Sequence, residues 1–289
     1  MSNNVSIIGA GQGGLASALL LRQAGFEVTV YERDSGPGGR TKVFEKDGYK
    51  FDLGPTFLMY LPTIEDVFKA VGRDLHQELD LVHLDPLYRL TFGEGGHLDC
   101  SPNLETMIER VRDLSGDKNA EGFRRWWADN KRKLSLAEPC LQGPWNSLRD
   151  GFSKRAIRVM KVLRPHRSVA SDLGRFFSDD RMVMATSFQS KYLGMSPYHC
   201  PSLFTILAYI EYAHGVYHPI GGLGSMTKKM ADIAEEMGVI FHYNTPVEKI
   251  SVDRKRVDGL HINGSVIKPD VTIVNADFAH AMTTLVDDS

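Results

Sequence analysis

Val5-Ser-Ile-Ile-Gly-Ala-Gly-Gln-Gly-Gly14 is the stretch that decides the fold. Residues 5–8 read as a short buried strand, the glycines as a turn, and residues 15–24 as an apolar, helix-favouring run. A second predicted strand, residues 27–31, ends at Glu32, about 20 residues beyond the glycines, where an acid can bind a ribose hydroxyl. This order and spacing predict a Rossmann-like α/β fold that binds a dinucleotide.

The glycines have separate functions in such a turn. Gly9 lets the chain turn tightly out of the strand, Gly11 has no Cβ to keep the backbone from a pyrophosphate, and Gly14 lets helix and strand approach closely. The helix N-terminus then offers N–H groups and a positive dipole end to phosphates. Glu32 would repel a 2′-phosphate, so NADP is disfavoured and NAD or FAD remains. The alternative is a glycine-rich turn in an unrelated α/β protein.

A second glycine cluster favours FAD. In Asp34-Ser-Gly-Pro-Gly-Gly-Arg40, glycines and a fixed cation directly follow the acidic strand end, where a second phosphate approach could be neutralised. A plain NAD fold has no need of this segment. The alternative interpretation is an ordinary surface turn.

At these residues the sequence resembles the flavin-containing amine oxidase and carotenoid desaturase superfamily, in which a Gly-Gly-Arg segment follows the first nucleotide strand. Phe51-Asp-Leu-Gly-Pro-Thr56 looks like the phytoene and diapophytoene desaturase branch. Further stretches occur in the order seen in bacterial carotenoid desaturases: Tyr192-Leu-Gly-Met-Ser-Pro197, Pro201-Ser-Leu203, Gly215-Val-Tyr-His218, Gly221-Gly222 and Asn244-Thr-Pro-Val247.

The resemblance implies an FAD site and a reaction. Val247 would contact the adenine through its backbone, and the segment that includes Gly54 would lie near the flavin. The candidate cofactor-binding residues are Gly9, Gly11, Gly14, Glu32, Arg33, Gly39, Arg40, Gly54, Pro55, Thr56 and Val247. The implied activity is FAD-dependent introduction of double bonds into an acyclic isoprenoid such as phytoene or diapophytoene, by hydride transfer to the flavin, with oxygen or a quinone as the electron acceptor.

Two alternatives to a desaturase stay open. One is another flavin oxidase acting on an amine or a different hydrocarbon, although residues 51–56 disfavour an amine oxidase. The other is a non-catalytic flavin-binding or lipid-binding remnant. Members of the resembling family continue well beyond 289 residues, adding the rest of the substrate domain and a final glycine-rich segment, so we expect this chain to lack that C-terminal part.

Composition and charge exclude several classes of protein. The net charge of −2 gives no general case for nucleic-acid binding. No apolar run approaches the ~18 residues of a membrane span, and a strand at Val5 leaves no room for a signal peptide, which predicts a cytoplasmic protein or one on the cytoplasmic membrane face. Three isolated cysteines, Cys100, Cys140 and Cys200, are typical of reduced thiols. No metal site is expected.

The periodicity predicts a discontinuous FAD-binding domain, residues 1–72 and 216–289, around an inserted, largely helical α+β substrate domain, residues 73–215. Helices are expected over residues 62–71, 103–116, 202–214 and 226–237. Strands or hairpins are expected over residues 41–52, 79–84, 88–92, 97–100, 239–243, 247–252, 260–267 and 271–274. Residues 202–214 are interpreted first as a buried helix and second as a wall of an apolar substrate cavity.

Residues 152–163 have the pattern of a basic amphipathic helix. Their apolar residues share one face, while Lys154, Arg155, Arg158 and Lys161 fall mainly opposite. Such a helix can lie on an anionic membrane, which is our hypothesis because a polyene is insoluble in water. The alternative is a solvated face on a helix that packs against the core.

No general base can be named from the sequence. The acids of the presumed substrate region are Asp172, Asp179, Asp180 and Glu211, and such acids are more often caps or solvated charges. The two histidines near the second cofactor-side turn, His214 and His218, lack metal-ligand spacing and are expected to be structural. Neither a GxSxG elbow nor an HExxH motif is present, which excludes those hydrolases.

Overall fold

The computed structural model describes residues 4–141 and 154–286. The chain divides into two compact units, which we call the sheet unit, Met1–Val82 with Tyr217–Ser289, and the helical unit, His83–Val216. The domain boundaries predicted from the sequence were residues 72 and 216. The predicted domains and the observed units both place the two ends of the chain in one part and the middle of the chain in the other.

Most strands are short. In chain order they are β1 Asn4–Ile8, β2 Glu27–Tyr31, β3 Val43–Lys46, β4 Tyr49–Asp52, β5 Leu58–Met59, β6 Leu81–His83, β7 Tyr88–Thr91, β8 His97–Cys100, β9 Val216–Pro219, β10 Ile240–His242, β11 Lys249–Asp253, β12 Arg256–Ile262, β13 Ser265–Ile267 and β14 Val271–Val274.

The helices range from one turn to 25 residues. They are α1 Gln12–Gln23, α2 Pro62–Ala70, α3 Leu75–Glu78, α4 Leu104–Ser115, α5 Asp117–Leu141, α6 Lys154–Leu163, α7 Val169–Leu173, α8 Asp180–Ala185, α9 Thr205–His214, α10 Leu223–Glu236 and α11 Phe278–His280. Single turns of 3₁₀ helix cover Gly39–Thr41 and Ser202–Phe204, a longer one covers Phe188–Leu193, and a π turn covers Ala281–Leu285.

The sheet unit contains a parallel sheet in the order β10-β2-β1-β14. Residue Ile8 at the end of β1 is aligned with Tyr31 on one side and Val274 on the other. Because parallel strands end at the same edge, the loops that follow β1, β2 and β14 meet there. This confirms the predicted Rossmann-like α/β class and places the glycine turn between two neighbouring strands.

One hydrophobic core supports this edge. It is formed by inward residues of β1 and β2, by one face of α1 and by one face of α10, with Leu15, Leu19 and Met226 among its buried members. Burial of each such side chain contributes about 1.5–3 kcal/mol. The turn that follows β1 is therefore attached at both ends to well-packed elements.

Helix α10 begins earlier than the sequence pattern predicts. We expected a start near Met226, after the glycines, but the helix starts at Leu223. The carboxylate of Asp52 accepts a hydrogen bond from the Leu223 backbone N–H at 3.0 Å and so caps the first turn. A cap supplied from 171 residues away in the sequence cannot be read from a local pattern.

The helical unit has an aromatic core. The indole of Trp126 on α5 meets the ring of Tyr212 on α9 edge-on at 5.9 Å, and Phe123 meets Tyr212 in the same way at 5.7 Å. Helix α9 buries six of its ten residues, so the first interpretation of residues 202–214, a buried helix, describes it. Among the described residues, no helix is both long and apolar enough to cross a bilayer.

Helix α6 packs on the helical unit through part of the face that was predicted to be apolar. Val159 and Leu163 are buried against Ala137 of α5, whereas Met160 is 48% exposed. Phe152, and the side chains of Lys154 and Arg155, lie outside the described residues. The two packed residues match the core-packing alternative, and membrane contact by this helix stays a prediction.

Candidate cofactor-binding site

The glycine turn leads directly from β1 into α1. Gly9 adopts a φ of 99°, a left-handed conformation that favours glycine, and its N–H donates to the Tyr31 carbonyl at 2.8 Å. Helix α1 then begins at Gln12, with Gly11 as its N-cap and no side-chain cap from the described part of the chain. The first N–H groups of a helix need partners, and an anion is a suitable one.

Two further glycines lie inside the first turn of α1, where the sequence pattern placed no helix. A Cβ on Gly14 would lie 2.1 Å from the Gly9 carbonyl oxygen, which is backbone and cannot move aside. A Cβ on Gly13 would lie 2.6 Å from the Asn275 side-chain oxygen, which is the end of a flexible side chain and can move aside. Steric contact, rather than helix propensity, therefore requires glycine at position 14.

The second glycine cluster meets the first. Gly11 and Gly38 form an isolated parallel bridge, and the Gly38 N–H donates to the Ala10 carbonyl at 3.0 Å. Gly39 has a φ of 56°, and a Cβ there would lie 3.0 Å from the Gly11 Cα. Two segments that are far apart in the sequence thus form one backbone-lined surface, with the cation of Arg40 beside it and 89% exposed.

Glu32 links these loops. Its side chain is buried, and its two oxygens accept hydrogen bonds from the backbone N–H groups of Ala10, at 2.7 Å, and Asp34, at 2.9 Å. A carboxylate has about four acceptor positions, so two remain after these bonds form. The structure therefore gives Glu32 a role in holding the glycine turn against β2, beside the ribose contact predicted from the sequence.

A cavity of about 830 Å³ opens at this edge of the sheet. That is within the range of about 300–1,000 Å³ found for cofactor and ligand pockets. Seven of the predicted site residues line it: Gly9, Gly11, Glu32, Arg33, Gly39, Arg40 and Val247. Burial raises the pKa of the Tyr31 hydroxyl, another lining residue, so this phenol stays neutral at physiological pH.

Four predicted residues are not part of the cavity lining. Gly14 lies behind it and packs on Gly9, as described above. The other three lie on the segment 54–56: a Cβ on Gly54 would be 2.1 Å from the Arg40 carbonyl oxygen, Pro55 is exposed, and the Thr56 carbonyl accepts a hydrogen bond from His218 Nδ1 at 2.7 Å. Gly54 thus supports the second glycine cluster from outside, and its flavin contact stays a prediction.

Sequence reasoning missed the lining residues that follow β14. The backbone N–H of Asn275 donates to the Ile8 carbonyl at 2.9 Å, and Asp277 lies 3.8 Å from Arg40. The sequence did contain a signal, because a short apolar strand ends in Asn275-Ala-Asp277. That signal points to the site only once β14 is known to neighbour β1.

The acids of the helical unit have distinct surroundings. Asp179 caps α8 and pairs with Arg181, which fits the structural role expected for it, and Asp180 begins the same helix. Asp172 is the centre of a buried ionic cluster. Glu211 is fully buried among uncharged hydrogen-bond donors. Burial lowers the pKa of His214, which favours its neutral form.

The ionic cluster joins three segments of the helical unit. The carboxylate of Asp172 accepts hydrogen bonds from Lys133 at 2.8 Å and from Arg164 and Arg175, each at 2.9 Å, and Arg164 also pairs with Asp129. Burial alone would raise the pKa of Asp172, but these three cations outweigh it and hold that pKa well below its usual range. The carboxylate is therefore ionised and structural, not a candidate base.

Two cysteine side chains lie in the described part of the chain. Cys100 and Cys200 are buried and free, and burial raises the pKa of the Cys100 thiol to about 12. The side chain of Cys140 lies outside the described residues. Over residues 4–141 and 154–286, no group of three metal-ligating side chains is present.

Comparison with known proteins decides the family. A family model described as flavin-containing amine oxidoreductase matches residues 13–288. The chain belongs to this family. The flavin-containing amine oxidoreductases are FAD-dependent oxidoreductases, so FAD is the cofactor to test against the cavity.

Two relatives show the branch of the flavin-containing amine oxidoreductases. A 4,4′-diapophytoene desaturase (4,4′-diapolycopene-forming) of Methylomonas sp is 34% identical over 288 residues, which cover 99% of this chain and 56% of that protein. A zeta-carotene-forming phytoene desaturase of Myxococcus xanthus is 35% identical over 285 residues, which cover 98% and 55%. The predicted resemblance to carotenoid desaturases is confirmed, and the chain spans a little over half the length of these relatives.

Solved structures of other proteins share the fold. An oxidoreductase from Methanosarcina mazei superposes with a TM-score of 0.69 at 19% identity, covering 98% of this chain and 61% of that one. A variant of putrescine oxidase gives a TM-score of 0.64 at 19% identity, covering 99% and 60%. At this identity the likeness shows the fold alone.

The residues at the sheet edge fit a dinucleotide such as FAD. The first turn of α1 carries no side-chain cap, the two glycine clusters present bare backbone, and Glu32 keeps free acceptor positions. Arg33 and Arg40 line the same cavity and supply positive charge. These features suit phosphates and a ribose, and contact of these residues with FAD stays a prediction.

Proposed function

We propose that this chain is an FAD-dependent desaturase, or part of one, that introduces double bonds into an acyclic isoprenoid such as phytoene or diapophytoene. The observation that carries the proposal is the similarity to two desaturases along almost the whole chain, at 34% and 35% identity. The cavity at the sheet edge supports it, because such a reaction needs a bound electron acceptor.

The protein's own groups bind and orient the cofactor in this proposal. The bare first turn of α1, with the backbone around Gly11 and Gly39, receives the phosphates, and Arg40 offsets their charge. Glu32 receives a ribose hydroxyl while it holds the glycine turn in place. When bound, FAD supplies a hydride acceptor for desaturation of a carbon–carbon bond. The substrate then loses a proton from the neighbouring carbon to complete the double bond.

The helical unit offers apolar surface for such a substrate. Five large apolar side chains between residues 184 and 198 are exposed, and Met184, at 61%, and Tyr198, at 73%, are the most exposed of them. The others are Tyr192, Leu193 and Met195. Exposed methionine and aromatic side chains are typical of surfaces that bind flexible apolar partners. We infer that this segment contributes to binding of the hydrocarbon.

Two other functions have less support. An amine oxidase is favoured by the description of the family and by likeness in fold to putrescine oxidase at 19% identity, whereas the two relatives that are 34% and 35% identical are desaturases. A non-catalytic flavin-binding or lipid-binding protein is the other alternative. The retained glycine turn, Glu32 and Arg40 argue that flavin binding at least is preserved.

The remaining partners and the location are part of the proposal. Oxygen or a quinone would reoxidise the cofactor, and no nucleic acid is involved. A cytoplasmic location, with residues 152–163 on the cytoplasmic face of a membrane, would bring the protein to an insoluble substrate. Flotation of the chain with anionic vesicles would test that contact, and reversing the charges of this helix should reduce it.

Flavin content and product analysis test the proposal directly. We expect the purified chain to bind FAD with one equivalent released on denaturation, measured by visible absorption and chromatography. With phytoene or diapophytoene we expect a polyene that absorbs at longer wavelength, and with putrescine no turnover. Amine turnover would contradict the proposed reaction, and bound flavin without either activity would favour the binding protein.

Glu32→Gln should weaken FAD binding without unfolding the chain. The amide keeps one acceptor, so one of the two backbone N–H groups loses its partner in a buried position, at a cost of about 1–3 kcal/mol. That cost falls on the free energy of unfolding, and because the amide also leaves one acceptor fewer for the ribose hydroxyl, a fluorescence titration should show a weaker affinity for FAD. Glu27→Gln, an exposed change at the start of the same strand, should leave the affinity unchanged.

A further inference from the structure

Glu211 on α9 is the centre of a buried polar group in the helical unit. Its side chain is fully buried, and its Oε2 accepts hydrogen bonds from the Tyr88 hydroxyl at 2.8 Å and the Gln189 amide at 2.7 Å. Its Oε1 accepts one from the Tyr192 hydroxyl at 2.8 Å. We call these four residues the Glu211 cluster.

The donors of the Glu211 cluster are all uncharged. Of the buried carboxylates in the described part of the chain, Asp172 binds three cations, and Glu32 binds backbone N–H groups at the cofactor cavity. The nearby cation, Lys191, lies over the ring of Phe188 at 4.8 Å and acts on Glu211 only at longer range. Of the described residues that contact Glu211, none therefore neutralises its ionised form, which makes its protonated form accessible.

The cluster can accommodate either charge state. The Oε1 atom of Gln189 is buried and has no hydrogen-bond partner among the described residues. Rotating the Gln189 amide by half a turn would bring that acceptor to the position 2.7 Å from Glu211 Oε2, where it can accept from a carboxylic acid. The arrangement observed suits a carboxylate, and the rotated one suits the acid.

A partly exposed tyrosine is hydrogen-bonded to the buried carboxyl. Tyr192 is 41% exposed, yet its hydroxyl is hydrogen-bonded to Glu211. Burial and the nearby Glu211 raise the pKa of Tyr192, so the phenol stays neutral and can pass a proton only by giving one while it takes another. Tyr192 thus joins the buried carboxyl, by one hydrogen bond, to a side chain that is partly exposed.

Glu211 is the member of this region suited to change charge at a pH above the range of an ordinary glutamate. The titratable groups facing it are Tyr88 on β7, Cys100 on β8, Lys191 and Tyr192 on the 3₁₀ helix, and Tyr212 on α9 itself. Burial raises the pKa of Tyr88, Cys100 and Tyr212, which keeps all three uncharged. Burial also raises the pKa of Glu211, against the opposing effect of its three hydrogen bonds.

We propose that the Glu211 cluster is a proton-accepting site of the helical unit, with Glu211 as the acceptor and the Tyr192 hydroxyl as the group through which the proton arrives. Its role rests on the function proposed above, in which a substrate carbon releases one proton. Tyr192 takes a proton on its oxygen and gives its own to Glu211 Oε1, and the carboxylate becomes a carboxylic acid. No electrons move, and the same route returns the proton to water.

Infrared difference spectroscopy tests the site without turnover or flavin. The purified chain should show the carbonyl band of a protonated carboxylic acid that persists to a higher pH than an ordinary glutamate, whose pKa is 4.5. Glu211→Gln should remove the band, and Glu109→Gln, an exposed change on α4, should keep it. A band that survives Glu211→Gln, or a Glu211 that titrates like free glutamate, would overturn the proposal. Isotope labelling of glutamate allows the wild-type titration even if the variant fails to fold.

The entry route has its own readout. Tyr192→Phe should keep the band of the protonated Glu211 but slow its hydrogen–deuterium exchange, because the connecting hydroxyl is lost. An exchange rate equal to that of the wild type would reject Tyr192 as the route. Since neither measurement needs a substrate, a positive result without desaturation would separate failure of the proposed function from failure of this proton site.

Discussion

Gly14→Ala is expected to abolish FAD binding and to destabilise the sheet unit. The new Cβ would lie 2.1 Å from the Gly9 carbonyl oxygen, so the glycine turn and α1 must separate. Contacts of this kind typically cost about 1–3 kcal/mol and occasionally more, and we expect about 3 kcal/mol because the clashing atom is backbone. Flavin content after purification and urea unfolding would measure the two effects.

A graded series of alanine variants makes this prediction specific. Gly13→Ala meets only the flexible end of Asn275 and should lose less stability than Gly14→Ala. Gly36→Ala meets no atom within 4 Å and needs no left-handed conformation, so it should behave like the wild type. Equal effects of all three substitutions would show that steric contact at the turn does not decide flavin binding.

Asp172→Ala should cost about 3–5 kcal/mol of the free energy of unfolding. The substitution leaves the fully buried ammonium of Lys133 without its nearest carboxylate, and breaking a buried ion pair from one side typically has this cost. Asp129 also contacts Lys133, at 3.3 Å, and compensates in part. Chemical unfolding followed by far-UV circular dichroism would measure the change.

An exposed ion pair provides the control. Asp232 pairs with Lys228 on α10 with both side chains largely exposed, so Asp232→Ala should cost at most about 1 kcal/mol.

The buried Asp172 should also make the stability of the chain depend on pH. Because its pKa in the folded state is lowered, its stabilisation is complete above the ordinary value of 3.8 and is lost as the pH falls below it. Asp172→Ala should therefore flatten the stability profile in acid.

The sequence predicted those parts of the site that depend on local constraints. Gly9 and Gly39 adopt left-handed conformations, and Glu32 follows a strand at the spacing that a dinucleotide fold requires. Such requirements on backbone conformation and spacing can be recognised from the residue types in the sequence. The second glycine cluster could also be recognised, although its contact with Gly11 needed the folded chain.

What escaped prediction depends on residues distant in sequence. The cap on Leu223 comes from Asp52, and the cavity wall beyond β14 includes Asn275, which contacts the glycine turn. The distinction between Asp172 and Glu211 was equally hidden, because it depends on which cations each buried carboxylate meets. Residue types alone cannot supply these pairings, so the family could be predicted and the proton site could not.

The parallel pairing of β1 with β14 also bears on how the chain is made. Synthesis at about 5–20 residues per second separates the two strands by some tens of seconds, since Asn4 and Asp270, which are hydrogen-bonded to each other, are 266 positions apart. During this interval the apolar β1 leaves the ribosome without its final neighbour, whereas the contiguous helical unit is already complete. The nascent chain therefore exposes strand edges of the cofactor site until β14 has been synthesised. We expect the yield of folded protein in cells to depend on chaperones and on temperature.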